Sequence, residues 1–370
     1  MLHVTYSLYA ISAGSLCLLS VLLLFNITRV NTVANRWLAA FYLFLAFALF
    51  QQFIYKLGLA MESQLFIHIL ELTRWALAPC FYLSIVYFVD PGKKSLKLLA
   101  HFIPALGFLI FSLLFIMPGI HDPATPSELP HYLGFIFRYF SIVQIIIYWI
   151  LSFRLIASHT RNIRLIASTI ESIDLFWIKQ LLFGTLLLTV IRIVSYNGGL
   201  ISLINPVLYC LGIFFIAFFS LRQGIIYPVT AAELPEITSM LKRNNNRERL
   251  STDQVNELKS KVVLILEERK LFLDPSLTLA DLSREVGIGI HELSYIINNG
   301  LNKNFYNLIN EMRVEEAKKI LLSEKIKYSD MIGIAIEAGF NSKTTFNTTF
   351  KKLTGQTPTD FVRSNSNSAL

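Results

Sequence analysis

Residues 335–363 read AIEAGFNSKTTFNTTFKKLTGQTPTDFVR, and this stretch decides how the C-terminal part of the chain folds. Met331, Ile334, Ala335 and Ala338 fall on one face at helical spacing, which predicts a short helix with one buried side. Gly339-Phe340 follows at once, and Gly suits the left-handed residue that ends a helix. Phe346, Phe350 and Leu353 then repeat as the inward stripe of a second helix. Its open face carries Ser342, Lys343, Thr344, Asn347, Thr348, Lys351 and Lys352, side chains able to meet phosphates and base edges.

Working outward, the same plan recurs upstream. Leu279, Leu282 and Val286 mark one face of a short helix that Gly287 ends. Leu293, Ile296 and Ile297 point inward from the next helix and leave His291, Glu292, Tyr295, Asn298 and Asn299 outward. The repeat is imperfect, since the first anchor lies six residues after the turn glycine in one unit and seven in the other. Between the units, Phe305, Leu308, Ile309 and Met312 predict a long helix from about Asn304 to Leu322. Ser251 and Gln254 form a capping box for a helix that runs to about Lys270, before Leu273-Asp274-Pro275 interrupts it. Helix, tight turn and second helix is the helix-turn-helix plan. Residues 252–370 are therefore expected to be a small soluble all-α domain with two such units joined by a long helix.

The segments LADLSREVGIGIHELS, NEMRVEEAKKILL and AIEAGFNSKTTFNTTFKKLTGQTPTDFVR resemble the DNA-binding domain of the AraC/XylS family over residues 279–363. The GF turn, the F-x-x-x-F-K-K helix and the closing G-x-T-P-x-x-F follow that family closely. The resemblance covers under a quarter of the chain. It implies double-stranded DNA as partner, with His291, Glu292, Tyr295 and Asn298 of the first unit and Ser342 to Lys352 of the second as the candidate contacts. It also implies a strut role for the central helix and a structural role for its Arg313. Three departures weaken the first unit or alter the second. Gly289 stands where the family usually has a capping Ser, Glu292 repels phosphate, and Thr348 stands where many relatives carry Arg. The second unit is expected to dominate DNA readout.

The net charge of +8 does not argue for DNA, because from Gln254 onward fifteen Lys/Arg face fourteen Asp/Glu. The positive excess lies in the N-terminal half and the linker. The averages, 54% hydrophobic and 16% charged, hide the same split. Residues 1 to about 221 are almost continuously apolar, and a span needs about 20 apolar residues. Seven segments qualify, at about 4–25, 37–57, 65–89, 96–117, 132–156, 176–196 and 200–221. Lipid offers backbone groups no partners, so they must be helices. The expected architecture is all-α, a seven-transmembrane helical sensor domain over 1–221, a cytoplasmic linker over 222–251 and the DNA-binding domain over 252–370. The composite resembles bacterial membrane-tethered transcription regulators.

Arg29 and Arg36, then Lys93, Lys94 and Lys97, then Arg154, Arg161 and Arg164, and finally Arg222 mark alternate loops. The opposite loops, 58–64, 118–131 and 197–199, contain no Lys or Arg. The positive-inside rule then puts the N-terminus outside a bacterial inner membrane and the C-terminal domain in the cytoplasm. The first apolar run lacks a basic leader and reads as a span, not a signal peptide. Cys17, Cys80 and Cys210 sit in apolar runs without metal-ligand spacing, so neither a disulfide framework nor a metal site is expected.

Polar residues in spans suggest function by default. Gln51, Gln52, Lys56, His68, Glu71, Arg74, Arg138, Arg192 and Asn205 all fall toward the outer side. Two readings stay open, snorkelling with structural pairing or an outward-facing pocket for an anionic small ligand. The linker contains Pro228, Pro235 and the basic run Lys242 to Arg247, and reads as a solvated hinge or a contact to the anionic leaflet. Walker, H-E-x-x-H, kinase-histidine and G-x-S-x-G motifs are absent, so neither enzymatic activity nor a cofactor is expected. The alternative to a membrane receptor that alters transcription is a transporter or channel with a regulatory domain. The outer-side concentration of polar residues favours the receptor. A homodimer is an arrangement the sequence leaves open.

Overall fold

The computed structural model describes residues 2–25, 31–59, 64–93, 96–116, 131–170, 174–195, 200–221, 251–323 and 330–366. Among them there is no strand, only one isolated antiparallel bridge between Ala167 and Thr278. The linker run lies outside the described residues.

The chain divides into two compact units, Met1–His159 with Leu175–Ile226, and Thr160–Asp174 with Tyr227–Leu370. The first unit is built of α1 (Leu2–Phe25), α2 (Thr32–Lys56), α3 (Gln64–Val89), α4 (Ile103–Phe111), α5 (His131–Ile163), α6 (Phe176–Ser195) and α7 (Leu200–Leu221). A 3-10 stretch, Leu96–Phe102, leads into α4, and wider turns, Ser112–Ile116, follow it. Large apolar side chains such as Leu18, Leu106, Leu114, Leu211 and Phe214 face outward. A surface this apolar suits lipid better than water. Some polar side chains inside the unit bond from one helix to another, as a water-free setting favours. Tyr42 Oη lies 2.6 Å from Ser220 Oγ, Ser20 Oγ donates to Ala39 O at 2.8 Å, and Gln144 Nε2 donates to Trp75 O at 3.1 Å.

Seven spans are expected from sequence, and among the described residues six helices are long and apolar enough to cross a membrane. The expected span not among these six is α6, a helix of 20 residues whose continuous apolar stretch among the described residues is Phe176–Ile191. Helix α5 also runs past the expected end near 156, to Ile163.

The second unit contains α8 (Thr252–Arg269), α9 (Leu279–Val286), α10 (Ile290–Tyr295), α11 (Phe305–Leu321), α12 (Met331–Glu337), α13 (Lys343–Thr354) and α14 (Pro358–Ser366). The starts follow side-chain chemistry. Ser251 and Gln254 exchange the two bonds of a capping box, as do Thr278 and Asp281, while Asn304, Asp330 and Ser342 cap the helices after them. Gly287 (φ 73°), Gly339 (φ 90°) and Gly355 (φ 82°) occupy the left-handed region at the stops.

Two apolar clusters form the core. One gathers Val262, Leu266, Leu282, Leu293, Ile297 and Phe305 around the first helix-turn-helix unit. The other gathers Ile334, Ala335, Phe340, Phe346 and Phe350 around the second. Helix α11 feeds both, with Leu308 and Ile309 in the first and Val314, Ala317 and Leu321 in the second. Leu353 is expected as an anchor of α13 but is 43% exposed. Phe361 of α14 takes that place, its ring centroid 5.4 Å from that of Phe350.

Candidate nucleic-acid interface

In the second unit, Phe346 and Phe350 are fully buried and turn the other side of α13 to solvent. Lys343, Thr344, Thr348, Lys351 and Lys352 are exposed, and Asn347 and Ser342 are half-buried. Asn347, Thr348, Lys351 and Lys352, with Thr357, line an open concavity of about 550 Å³. The face thus joins two ammonium groups to an amide and hydroxyls, a set able to engage phosphate and a base edge together.

The first unit presents its candidates less openly. His291, Glu292, Tyr295 and Asn298 are each half-buried. Gly289 starts α10 without a side-chain cap bond, and after six residues the helix widens over Ile296–Gly300. Asn298 Nδ2 donates back to Ser294 O at 2.8 Å, and Asn299 Nδ2 to Tyr295 O at 3.2 Å. Both amide donors are thereby engaged within their own helix.

The centre of the unit is Arg313, 1% exposed. Its Nε donates to Phe272 O at 2.7 Å and its Nη2 to Asp274 O at 2.8 Å. Its Nη1 donates to Ser168 O at 3.2 Å, and its Nη2 to Ser168 Oγ at 3.1 Å. The guanidinium also lies 5.9 Å from the centroid of the Phe340 ring, within cation–π range. Arg313 therefore ties the seam between the two clusters. Nearby, the hydrogen bond from Lys270 Nζ to Glu316, 2.8 Å, holds that carboxyl below the usual carboxylate range and braces α11.

Ser168 and its neighbours were not legible as part of this unit from charge alone. The usable signal is Leu165-Ile166-Ala167 with Ile170, an apolar run in a connection that also carries Arg161, Arg164, Glu171 and Asp174.

A family profile described as a helix-turn-helix domain matches residues 282–364. Those residues are an AraC-type helix-turn-helix domain. A domain of this type implies DNA binding. The chain is 44% identical over 62 residues to an uncharacterised HTH-type transcriptional regulator in the cgkA 5′ region of Pseudoalteromonas carrageenovora, an alignment covering 17% of this chain and 34% of that protein. It is 31% identical over 118 residues to an uncharacterised HTH-type transcriptional regulator of Staphylococcus aureus strain COL, covering 32% of this chain and 14% of the relative. The chain thus spans about a third of the length of the first relative and about a seventh of the second. No solved structure matches the chain.

Of the polar residues expected to form an outer pocket, Gln51 and Glu71 meet, with Gln51 Nε2 donating to Glu71 Oε1 at 3.3 Å. Gln51 and Asn205 are buried, and Gln52 and Arg74 half-buried. The side chains of Lys56, His68, Arg138 and Arg192 lie outside the described residues.

Proposed function

We propose that this chain is a membrane-bound, sequence-specific DNA-binding regulator of transcription, with a membrane domain over 1–221, a linker over 222–251 and a DNA-binding domain over 252–370. The observation that carries the reading is the AraC-type domain with its exposed Lys and Thr face and half-buried Asn347, on a chain with six long apolar helices among the described residues. Lys343, Lys351 and Lys352 take phosphates, while Thr344, Asn347 and Thr348 read base edges. The first unit contributes His291, Glu292, Tyr295 and Asn298 more weakly.

A seventh crossing follows from parity. Thr160–Asp174 and the helix-turn-helix domain belong to one compact unit, so they must share a compartment. An even number of crossings must therefore separate them. Helix α7 is long and apolar enough to cross, so α6 crosses too. The basic loops then put both in the cytoplasm. On the outer side, Gln51, Glu71 and Arg74, with Lys56, Arg138 and Arg192 by their depth in the sequence, are the candidate residues for an anionic ligand. Such a ligand acts only by favouring one packing of the helices over another.

The test is chromosomal mapping of sites bound by the intact protein, followed by footprinting on a recovered fragment. Protection of two successive major grooves, about 34 Å apart, is expected. A one-groove footprint, or no enriched sites, removes the reading. A reporter active only in the periplasm, fused after Arg222, should give no signal.

A further inference from the structure

Thr160–Asp174 connects α5 to α6 in the chain, yet it folds with the helix-turn-helix domain. Ile163, Ile166, Ala167 and Ile170 are buried in the core of the first unit. The main chain of this segment also completes that unit. The first N–H groups of any helix lack partners within it. Leu279 N–H, at the start of α9, donates to Ile166 O at 2.9 Å, and Tyr306 N–H, at the start of α11, donates to Arg164 O at 3.1 Å. Ser168 N–H returns a bond to Leu277 O at 3.3 Å. Ser168 O accepts from both Arg313 and Asn310 Nδ2, the latter at 3.1 Å. Arg164 lies over the Tyr306 ring at 5.8 Å and lines a cleft of about 160 Å³ with Thr348 and Lys352 of α13. The segment therefore supplies core side chains, carbonyl partners for two helix starts and acceptors for a buried guanidinium, and it reaches both units.

We infer that residues 160–170 are the coupling segment of this protein: DNA binding requires them docked, and the apolar helices α5 before them and α6 after them switch the reader by docking or withdrawing them. The inference rests on the DNA-binding reading above. Withdrawal would strip four apolar side chains from the first core and leave Arg313 buried without part of its acceptor set, which is costly. Two-groove binding needs both recognition helices held about one DNA turn apart. A loosened first unit cannot hold that spacing. A shift of α5 against α6 is then sufficient to bias the reader, and the linker 222–251 acts as a tether without a signalling role.

The test uses the full chain in membranes, with Cys17, Cys80 and Cys210 replaced by Ala and a protease site placed in the linker. Ala167 and Thr278 form a non-hydrogen-bonded antiparallel pair, whose Cα atoms stand about 4.5 Å apart. Ala167→Cys with Thr278→Cys should therefore form a disulfide under mild oxidation. After linker cleavage the C-terminal fragment should stay attached and be freed by reductant. No disulfide overturns the docking, whether or not the protein binds DNA.

DNA affinity is then measured on a mapped fragment with protein in lipid nanodiscs. Ile166→Asp should weaken binding about tenfold, within the usual range of coupling between sites. Ten added Gly/Ser residues in the linker should change affinity by less than about twofold if that segment carries no coupling energy. Oxidising the cysteine pair in the Ile166→Asp background should recover binding to within about threefold of wild type. Wild-type affinity in Ile166→Asp, a large loss on linker extension, or failure of the disulfide to restore binding overturns the inference. Loss of DNA binding by every form, including wild type, would instead remove the functional reading while the cross-link still reports docking.

Discussion

In the second helix-turn-helix unit, Ser342 accepts from the Thr345 amide and α13 runs twelve residues before Gly355 ends it. In the first, Gly289 offers no side-chain acceptor and α10 runs six residues before its turns widen. The outward charge differs in the same sense, with Lys343, Lys351 and Lys352 against His291 and Glu292. The neighbours differ the other way. The first unit is packed against residues 163–170, whereas among the described residues the core cluster of the second is drawn from α11 to α14 and the turn at Gly339-Phe340. The contrast supports the division of labour proposed above: the second unit has the regular helix and the exposed cations, and the first has the contacts to residues 163–170.

The largest disturbance of this arrangement should come from Arg313→Ala, because Arg313 is shared by both units and by Ser168. Removing it takes the Arg313 donor from Phe272 O, leaves Ser168 O with Asn310 and Asp274 O with the Leu277 amide, and opens a cavity. At roughly 1–3 kcal/mol for an unsatisfied buried group, with the cavity added and partly relaxed, the loss should be about 3 kcal/mol. Pulse proteolysis of the full-length protein across a urea series would read it. A shift under about 1 kcal/mol would mean that the seam does not depend on this guanidinium.

The two turn glycines separate the units next. A Cβ at Gly339 would sit 2.6 Å from Phe272 O and 2.8 Å from Leu273 Cα, while one at Gly287 meets nothing within 4 Å. Both backbones are left-handed, which costs an L residue about 1–2 kcal/mol. Gly287→Ala should therefore cost only about 1 kcal/mol. Gly339→Ala adds a backbone collision and should cost about 3 kcal/mol by the same unfolding measurement. Equal losses would show that the second turn is not held against the 272–273 backbone.

On DNA the asymmetry should appear in kind as well as size. Lys351→Ala should weaken all sequences alike and flatten the dependence of log affinity on log salt by about 0.9 per lost phosphate contact. Asn347→Ala should instead relax preference at one position, by about 1–3 kcal/mol if it makes a paired contact to a base. Asn298→Ala should do much less, because its amide donates to Ser294 in its own helix. Competition binding with a substituted site series would distinguish the three. A loss of preference from Asn298→Ala that matches Asn347→Ala would cancel the ranking of the units.

Much of the soluble unit was legible because its signals are local. The capping box at Ser251, the stop glycines 287 and 339, and the buried Phe346 and Phe350 each follow from residues within a few positions of one another. The displaced anchor was less so, because exposure of Leu353 depends on Phe361, which arrives from the next helix. Docking of residues 160–170 was not legible at all as a contact. It joins Ser168 to Arg313, 145 positions away, and a basic loop between spans already had a sufficient explanation in topology. The crossing of α6 is legible as an expectation, because 176–196 is an apolar run of span length and the Lys/Arg asymmetry of the loops calls for it; the grouping of Thr160–Asp174 with the C-terminal unit adds a second argument.

The smallest and most specific change is Gly289→Ser, which would give the first recognition helix the cap that the second already has. Gly289 has extended geometry, φ −63° and ψ 147°, so a side chain fits without backbone strain, and a Cβ there meets nothing within 4 Å. A Ser hydroxyl could then accept from an amide in the first turn of α10, as Ser342 does for Thr345. Because Gly is itself an acceptable cap, the gain in stability should be only a few tenths of a kcal/mol. Its consequence for DNA should be easier to see. If the first unit reads weakly because α10 is poorly anchored, Gly289→Ser should strengthen protection of the first groove and leave the second unchanged. If the weakness instead comes from Glu292 facing phosphate, the cap will stabilise the helix with no change in either footprint, and Glu292→Gln will be the variant that strengthens it.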